Sequence, residues 1–355
     1  MKLRYLVLIS DAEQTCGVEE FTRQLARRMQ PRALMRALDG NLPGIARMVR
    51  DADGVILSFP IVAWKRRLLS PIVVALVARI FRRDVVVILH EWLALDWKRR
   101  LVLSPVVLLA RRIYFSAPEI ASEFAGTRLS ALAPRDRRLL PVPPNLLPPA
   151  AARPSRISES LSEQRRSGRL IIGQFGSIYP KKQSTTVLEV ASCLLSQGHD
   201  VGVVFAGSFI KGMDDVEEQF FDQVRRLGLA DRVQVTGYIA GEDELFAIFE
   251  QVDVFCYLFQ EGLTSRRGSV LAAALSGKPV VVNAPERSDT LSHHGLFQSL
   301  LAIHALRLVE TNADISTVAE TVLQARETGA GKIDFDREVE SMWRLIVADV
   351  DQGKG

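Results

Sequence analysis

The sequence predicts an α/β protein built from two tandem doubly wound parallel-sheet domains. Short β-branched runs alternate with amphipathic segments through both halves of the chain. The strand-like runs are apolar throughout rather than alternating, as in strands covered on both faces. A proline-dense stretch, LPVPPNLLPPAAARPS (140–155), interrupts the alternation near the middle. At 355 residues the chain exceeds a single typical core, and two domains of roughly 150–180 residues are expected.

In the first half, LRYLVLIS (3–10) reads as a strand. EEFTRQLARRMQ (19–30) reads as a helix because Phe21, Leu25 and Met29 recur every fourth residue. GVILSFP (54–60), VVVILHEW (85–92) and RIYFSAP (112–118) are further buried-strand runs. Ser70-Pro71 and Ser104-Pro105 each place a capping hydroxyl before proline, which predicts helices starting near Pro71 and Pro105. The polar ISESLSEQRRSGR that follows the proline-dense stretch reads as a short helix or a loop. The boundary is placed there, giving domains at 1–160 and 161–332, with a C-terminal helix over 333–350 packing back on the first domain. In the second half, strands are expected at 169–177, 201–207, 233–239, 252–259 and 278–284. Helices are expected at 184–198, 216–228, 243–251 and 269–277.

Composition narrows the function classes. Apolar residues make up 48% and charged residues 24%, which suits a globular chain. Three scattered cysteines, Cys16, Cys193 and Cys256, offer neither a disulfide framework nor zinc spacing, and point to a reducing cytoplasm. The N-terminus lacks the apolar core and cleavage site of a signal peptide. No stretch reaches the ~20 apolar residues of a membrane span. Two echoing segments, WKRRLLSPIVVALVARIFRR (64–83) and WKRRLVLSPVVLLARR (97–112), hold six and five basic residues and no acids. With a net charge of only +4, the rest of the chain is net negative.

Doubly wound domains bind ligands beyond the carboxyl ends of their strands, and the cleft between two such domains is the expected active site. Four loops of the second half lie at such ends: GQFGSIYPKKQ (173–183), FAGSF (205–209), GYI (237–239) and EGLTSRRGS (261–269). The last sets Arg266, Arg267, Gly268 and Ser269 at a helix start. Free backbone amides, the positive dipole end and guanidinium donors there suit a phosphate; a solvated basic loop with a helix cap is the plainer reading. Lys182 on the facing loop is placed to reach the same anion.

In order along nearly the whole chain, these stretches resemble a known group, the GT-B glycosyltransferases and within them the retaining glycosyltransferase family 4. FGSIYPKKQ is similar to its strand-loop ending in Lys-Gly, with Lys182 at the lysine. GLADRVQVTGYI, EGL…LAAALSGKPVVV, VPPNLLP and VVVILHEW resemble its other motifs. The resemblance implies two Rossmann-like domains and transfer of a sugar from a UDP- or GDP-sugar with retained configuration. It implies no metal and no cofactor, the nucleotide sugar being a co-substrate. No Asp-x-Asp pair stands beside a strand end; Asp349 and Asp351 lie in the tail. By resemblance, Gly17, Ser177, Lys182, Arg266, Arg267, Gly268 and Ser269 hold the diphosphate. Gly207, Tyr238 and Ile239 meet the nucleoside, Glu261 contacts the transferred sugar, and His90 and Glu91 serve the reacting centre. Two positions depart from the pattern: Ser177 stands where the family has arginine, and Ala272 where it has a ribose-binding glutamate. Arg266 and Arg267 are expected to replace the missing arginine. His199, His293, His294 and His304 are expected at the surface.

The first domain of such an enzyme receives the acceptor. Trp64, Lys65, Arg66, Arg67, Trp97, Lys98, Arg99 and Arg100 are expected to meet an anionic membrane surface, and the acceptor to be a lipid-linked glycan of bacterial surface polysaccharide synthesis. Ordinary buried helices with solvated arginines are the alternative. A non-catalytic nucleotide-binding or membrane-scaffold protein on the same fold is the rival function, supported by Ser177 and Ala272. A nicotinamide-dependent oxidoreductase is disfavoured because no strand runs into G-x-G-x-x-G. Nucleic-acid binding is disfavoured for want of interleaved aromatic platforms.

Overall fold

The apolar runs of each half assemble into one all-parallel six-stranded sheet. The computed structural model describes residues 4–11, 16–61, 64, 69–210, 214–331 and 333–352. It divides into two units, Met1–Asn145 with Val339–Gly355, and Leu146–Glu338. Residues 160 and 161 lie within a helix of the second unit.

In chain order the first unit contains β1 (Tyr5–Ile9), α1 (Gly17–Arg28), β2 (Ala33–Ala37), α2 (Leu42–Asp51), β3 (Gly54–Phe59) and α3 (Ser70–Ile80). Then come β4 (Asp84–Leu89), α4 (Trp97–Leu109), β5 (Arg112–Phe115), α5 (Pro118–Ala125) and β6 (Asp136–Leu139). The sheet order is β2-β1-β3-β4-β5-β6. β3 and β4 pair in register along their whole length, from Gly54 opposite Asp84 to Phe59 opposite Leu89. Right-handed crossovers lay α2, α3 and α4 side by side on one face, and α1, whose connection runs the other way, on the opposite face.

The second unit contains α6 (Arg156–Arg166), β7 (Leu170–Phe175), α7 (Ser184–Ser196), β8 (Val201–Ala206), α8 (Asp214–Arg226), β9 (Val233–Val235) and α9 (Glu242–Gln251). β10 (Val254–Tyr257), α10 (Gly268–Leu275), β11 (Val280–Asn283), α11 (Gly295–Ala302), β12 (Leu306–Val309) and α12 (Ile315–Thr328) complete it. Its order is β12-β11-β10-β7-β8-β9. Connections reverse direction between β7 and β10, which makes their carboxyl ends the switch point where doubly wound sheets bind ligands.

The last helix, α13 (Phe335–Asp351), buries Val339, Met342, Trp343, Ile346 and Val350, the stripe that its 3.6-residue period dictates. Within the first unit the Trp343 ring stacks on Phe21 of α1 at 5.6 Å, and the Arg28 guanidinium lies 5.2 Å from its centroid. The terminal carbonyls of this helix, which have no donors of their own, are met by side chains. Tyr114 Oη and Arg112 Nη1 donate to Asp349 O at 3.1 Å each, and Tyr5 Oη donates to Val350 O at 3.1 Å.

Three expectations need correction. Pro105 does not start a helix but lies inside α4. Asp96 starts that helix by accepting from Arg99 N at 3.0 Å, and Ser104 Oγ donates to Arg100 O at 2.6 Å instead of capping. Trp64 does not face a membrane surface: it is buried against Phe59 at 5.5 Å, because the apolar ring fills the core beside β3. Lys65, Arg66 and Arg67 lie outside the described residues. His294 is not at the surface either. It is fully buried, and its Nδ1 accepts from Phe297 N at 3.4 Å as the cap of α11.

Replacing Trp343 by alanine empties a fully buried ring site, which typically costs about 3–5 kcal/mol. Urea unfolding followed by circular dichroism should register that loss; a loss under about 1 kcal/mol would mean that α13 adds little to the first unit.

Candidate active site

Both backbone polar groups of Phe175, at the end of β7, are spoken for. Its N–H donates to the buried Tyr257 hydroxyl at 3.1 Å, and its carbonyl accepts from Lys182 Nζ. The Tyr257 hydroxyl in turn donates to Ser269 O in the first turn of α10, at 3.1 Å. The backbone of one residue therefore ties together the β7 loop, the end of β10 and the start of α10. Lys182 is 2% exposed, and its ammonium sits 5.5 Å from the Tyr257 ring centroid. Burial, with Arg267 nearby, lowers its pKa to about 7. Burial likewise pushes the Tyr257 phenol up, so it stays a neutral donor.

Gly176 follows with φ +101°, a conformation that side chains rarely adopt. A Cβ there would lie 2.9 Å from Lys182 Nζ and 3.5 Å from Ser269 Cβ. Gly207, after β8, approaches so closely that a Cβ would lie 2.3 Å from Gly176 O. Beyond these glycines opens a cavity of about 360 Å³, lined among others by Ser177, Gly207, Tyr238, Ile239, Glu242 and Leu245. Tyr238 is largely exposed at its mouth. The structure thus brings Ser177, Gly207, Tyr238 and Ile239 together around one cavity. Through Gly176 it sets Lys182 and the amide end of α10 beside them.

The loop after β10 holds a second cluster. Arg267 lies 4.2 Å over the Phe259 ring, its Nη1 donates to Tyr179 Oη at 3.0 Å, and its Nη2 is ion-paired with Glu261. Arg267 therefore fixes Glu261 as well as standing beside Lys182. Arg266 is half-buried, and Gly268 opens α10. Ala272 is fully buried in the middle of that helix.

In the first unit, His90 follows β4 and is buried, with the Phe21 ring edge-on at 5.2 Å and its own N–H on Phe59 O at 2.8 Å. Glu91 beside it is half-buried. Gly17 begins α1, where a Cβ would lie 3.5 Å from Asn145 Nδ2. The buried Glu19 carboxylate accepts from Ser10 N and Ser10 Oγ, at 3.1 and 2.6 Å, and pairs with Arg23 at 2.7 Å. Among the described residues no cluster of three or more His, Cys, Asp or Glu has the makings of a metal site.

Sequence reasoning passed over Tyr179, Tyr257, Phe259 and Glu19. The stacked series Phe255, Tyr257, Phe259, with ring centroids 6.5 and 5.8 Å apart, was the available signal. Aromatic residues at every second position mark one face of a strand.

The buried lysine links stability to pH. Between about 7 and its ordinary 10.5, the unfolded chain carries a proton that folded Lys182 has released. Stability should therefore rise with pH across that window. Unfolding in urea at about pH 7 and about pH 9.5 should show a larger gain for the wild type than for Lys182→Met; equal gains would contradict the assignment.

Residues 169–325 match the family described as Glycosyl transferases group 1. No curated protein matches the chain by sequence. Among solved structures, the chain is similar to Anabaena Alr3699/HepE in complex with UDP, with a TM-score of 0.63, 16% identity and coverage of 98% of this chain and 99% of that one. It is also similar to sucrose-phosphate synthase from Thermosynechococcus elongatus, with a TM-score of 0.62, 15% identity and 98% coverage of each chain. A glycosyltransferase from Rickettsia africae ESF-5 aligns with a TM-score of 0.58 and 10% identity, over 99% of this chain and 100% of that one. At such identities the structural likeness speaks for fold, while the family match speaks for the second unit. The second unit thus holds the stretch that matches the glycosyl transferases group 1 family, and the chain shares the two-domain GT-B fold of these structures.

Proposed function

We propose that the protein transfers a sugar from a UDP- or GDP-sugar to a glycan acceptor, with retention of anomeric configuration and without a metal ion or other cofactor. The observation that carries this reading is the meeting of Lys182 Nζ, the Gly176 loop and the first turn of α10 beside a cavity of about 360 Å³. A departing nucleoside diphosphate needs its growing charge neutralised, and a desolvated ammonium with preorganised amides does that at no reorganisation cost. The match of residues 169–325 to a glycosyltransferase family supports it, as does the likeness in fold to one protein crystallised both with UDP and with UDP-glucose.

In this reading Lys182, Arg266, Arg267 and the Gly268 and Ser269 amides hold the diphosphate, with Ser177 beside them. Gly207, Tyr238 and Ile239 take the nucleoside. Glu261, held by Arg267, orients the transferred sugar; His90 is assigned to the donor sugar or leaving region, and Glu91 to the acceptor hydroxyl as orienting group or base. The acceptor is lipid-linked, the work is bacterial surface polysaccharide synthesis, and the protein sits at the inner face of the plasma membrane. Among the described residues no helix is long and apolar enough to cross a membrane, so attachment in this reading is peripheral. Ala272, fully buried where the resembled family carries a ribose-binding glutamate, favours a second reading in which the nucleotide binds without turnover.

Thermal melting with EDTA present separates the two. UDP or GDP should raise the melting temperature by mass action, and the matching sugar nucleotide should be consumed, its sugar passing slowly to water when no glycan acceptor is added. A rise without consumption selects the second reading, and no rise with any nucleoside diphosphate contradicts both. Lys182→Ala should lower turnover on the order of 10²-fold while moving the melting midpoint by only about 2–4 °C; unchanged turnover would remove Lys182 from the site.

A further inference from the structure

The helical layer of the first unit leaves its outer face apolar. α3 buries Pro71, Val74, Ala75 and Ala78 against the sheet and turns Val73, Leu76 and Ile80 outward, continuing a stripe begun by Leu69. The spacing 69, 73, 76, 80 is that of one helix face. α4, packed alongside, buries Leu103, Val106 and Val107 and turns Trp97, Leu101 and Leu108 outward. Ile80 is 75% exposed, and Trp97 and Leu101 are 64% exposed each. Among the described residues, nine of sixteen exposed large apolar side chains fall between Leu69 and Leu108. Such concentration on a folded surface marks a place that something covers.

The charges around the stripes identify what covers it. Neither helix contains an acid. Arg79, Arg82 and Arg83 gather at the C-terminal end of α3, and Lys98, Arg99 and Arg100 at the N-terminal end of α4. The two helices run side by side in the same direction, so basic groups stand at both ends of one apolar band. The nearby acids are already committed, Asp96 to Arg99 at 3.0 Å and Asp84 to Arg111 at 2.7 Å. A groove for another protein is normally rimmed by charges of both signs, whereas an apolar band with cationic ends fits an anionic bilayer. Trp97 lies where the band meets the basic end, with Lys98 Nζ 5.7 Å from its ring, an arrangement suited to the headgroup boundary.

We propose that the joint outer face of α3 and α4 docks flat on an anionic lipid surface, inserting Leu76, Ile80, Trp97 and Leu101 while the basic ends contact headgroups. The proposal gives physical form to the lipid-linked acceptor and rests on that reading for its biological sense, though not for its outcome.

The test floats the full-length protein with vesicles of phosphatidylcholine alone and with added phosphatidylglycerol. Of the four tryptophans, Trp64, Trp92 and Trp343 are buried and Trp97 is exposed, so emission reports on this face without a variant. Flotation with the anionic vesicles only, a blue shift of emission that Trp97→Phe abolishes, and weakening by salt are expected. Leu76→Glu with Leu101→Glu, both at exposed sites, should weaken binding by more than about ten-fold with an unchanged melting temperature. Failure to float with the anionic vesicles, or unaltered binding by the double variant, overturns the proposal. Self-association abolished by the double variant, with no vesicle binding, overturns it in favour of a second copy of this chain. A UDP melting shift measured without lipid on the same protein keeps the two readings apart. UDP binding without vesicle binding sinks only this surface, and vesicle binding without nucleotide binding sinks only the transferase.

Discussion

The second unit depends on how the backbone N–H and C=O of one residue, Phe175, are both satisfied. Phe175 closes β7, and beyond it the chain must turn through Gly176 within van der Waals reach of two other loops. A free N–H and C=O at that depth would each cost on the order of 1–3 kcal/mol. Tyr257 and Lys182 satisfy them, and by doing so bring the β10 end, the α10 start and a cation to one place. The site follows from meeting a backbone requirement. The lysine is held in a position where its charge is costly, and an arriving anion would remove that cost. A group destabilised in the empty protein and stabilised by its ligand is a common way for a fold to store binding selectivity.

The two units solve the same packing problem with different surfaces. Each covers a parallel sheet with helices on both faces, and each leaves its loops at the carboxyl ends of the strands. In the second unit these loops are rich in glycine, which lets backbones approach to distances that no side chain tolerates, as at Gly207 and Gly176 O. In the first unit the distinctive feature is the outer helical face. α3 and α4 meet the sheet with small and β-branched residues, and turn long apolar chains to the outside. Folding alone gives no reason for Ile80 or Leu101 to be apolar. Their exposure is a standing cost in solubility that calls for an occupant.

How much of this was legible in the sequence depends on where each element sits. Central strands such as β1, β3 and β8 are buried from end to end and stand out as apolar runs. The edge strands β2, β6 and β12 carry Arg36, Arg137, Arg138 and Arg307 because one side of each meets solvent, and no apolar run announces them. Two helices went unread where their caps lie outside the apolar pattern, with Asn41 before α2 and Asp314 before α12. The glycine- and arginine-bearing loops were visible as such. What one dimension cannot show is pairing across the fold: Arg267 with Glu261 and Tyr179, or the Phe175 peptide with Tyr257. The two Trp-Lys-Arg-Arg echoes show the same limit. They read as equals, yet Trp64 turns inward to Phe59 and Trp97 outward. Local sequence does not decide which side of a helical layer a side chain faces.

The central claim is that the Gly176 loop, Lys182 and the start of α10 form a diphosphate cradle. A crystal structure of the protein grown with UDP and EDTA tests it most directly. The account predicts both phosphates within hydrogen-bond reach of Lys182 Nζ and the Gly268 and Ser269 amides, with the uracil in the cavity lined by Tyr238 and Ile239. UDP bound elsewhere, or phosphates more than a water molecule's width from Lys182, would contradict it.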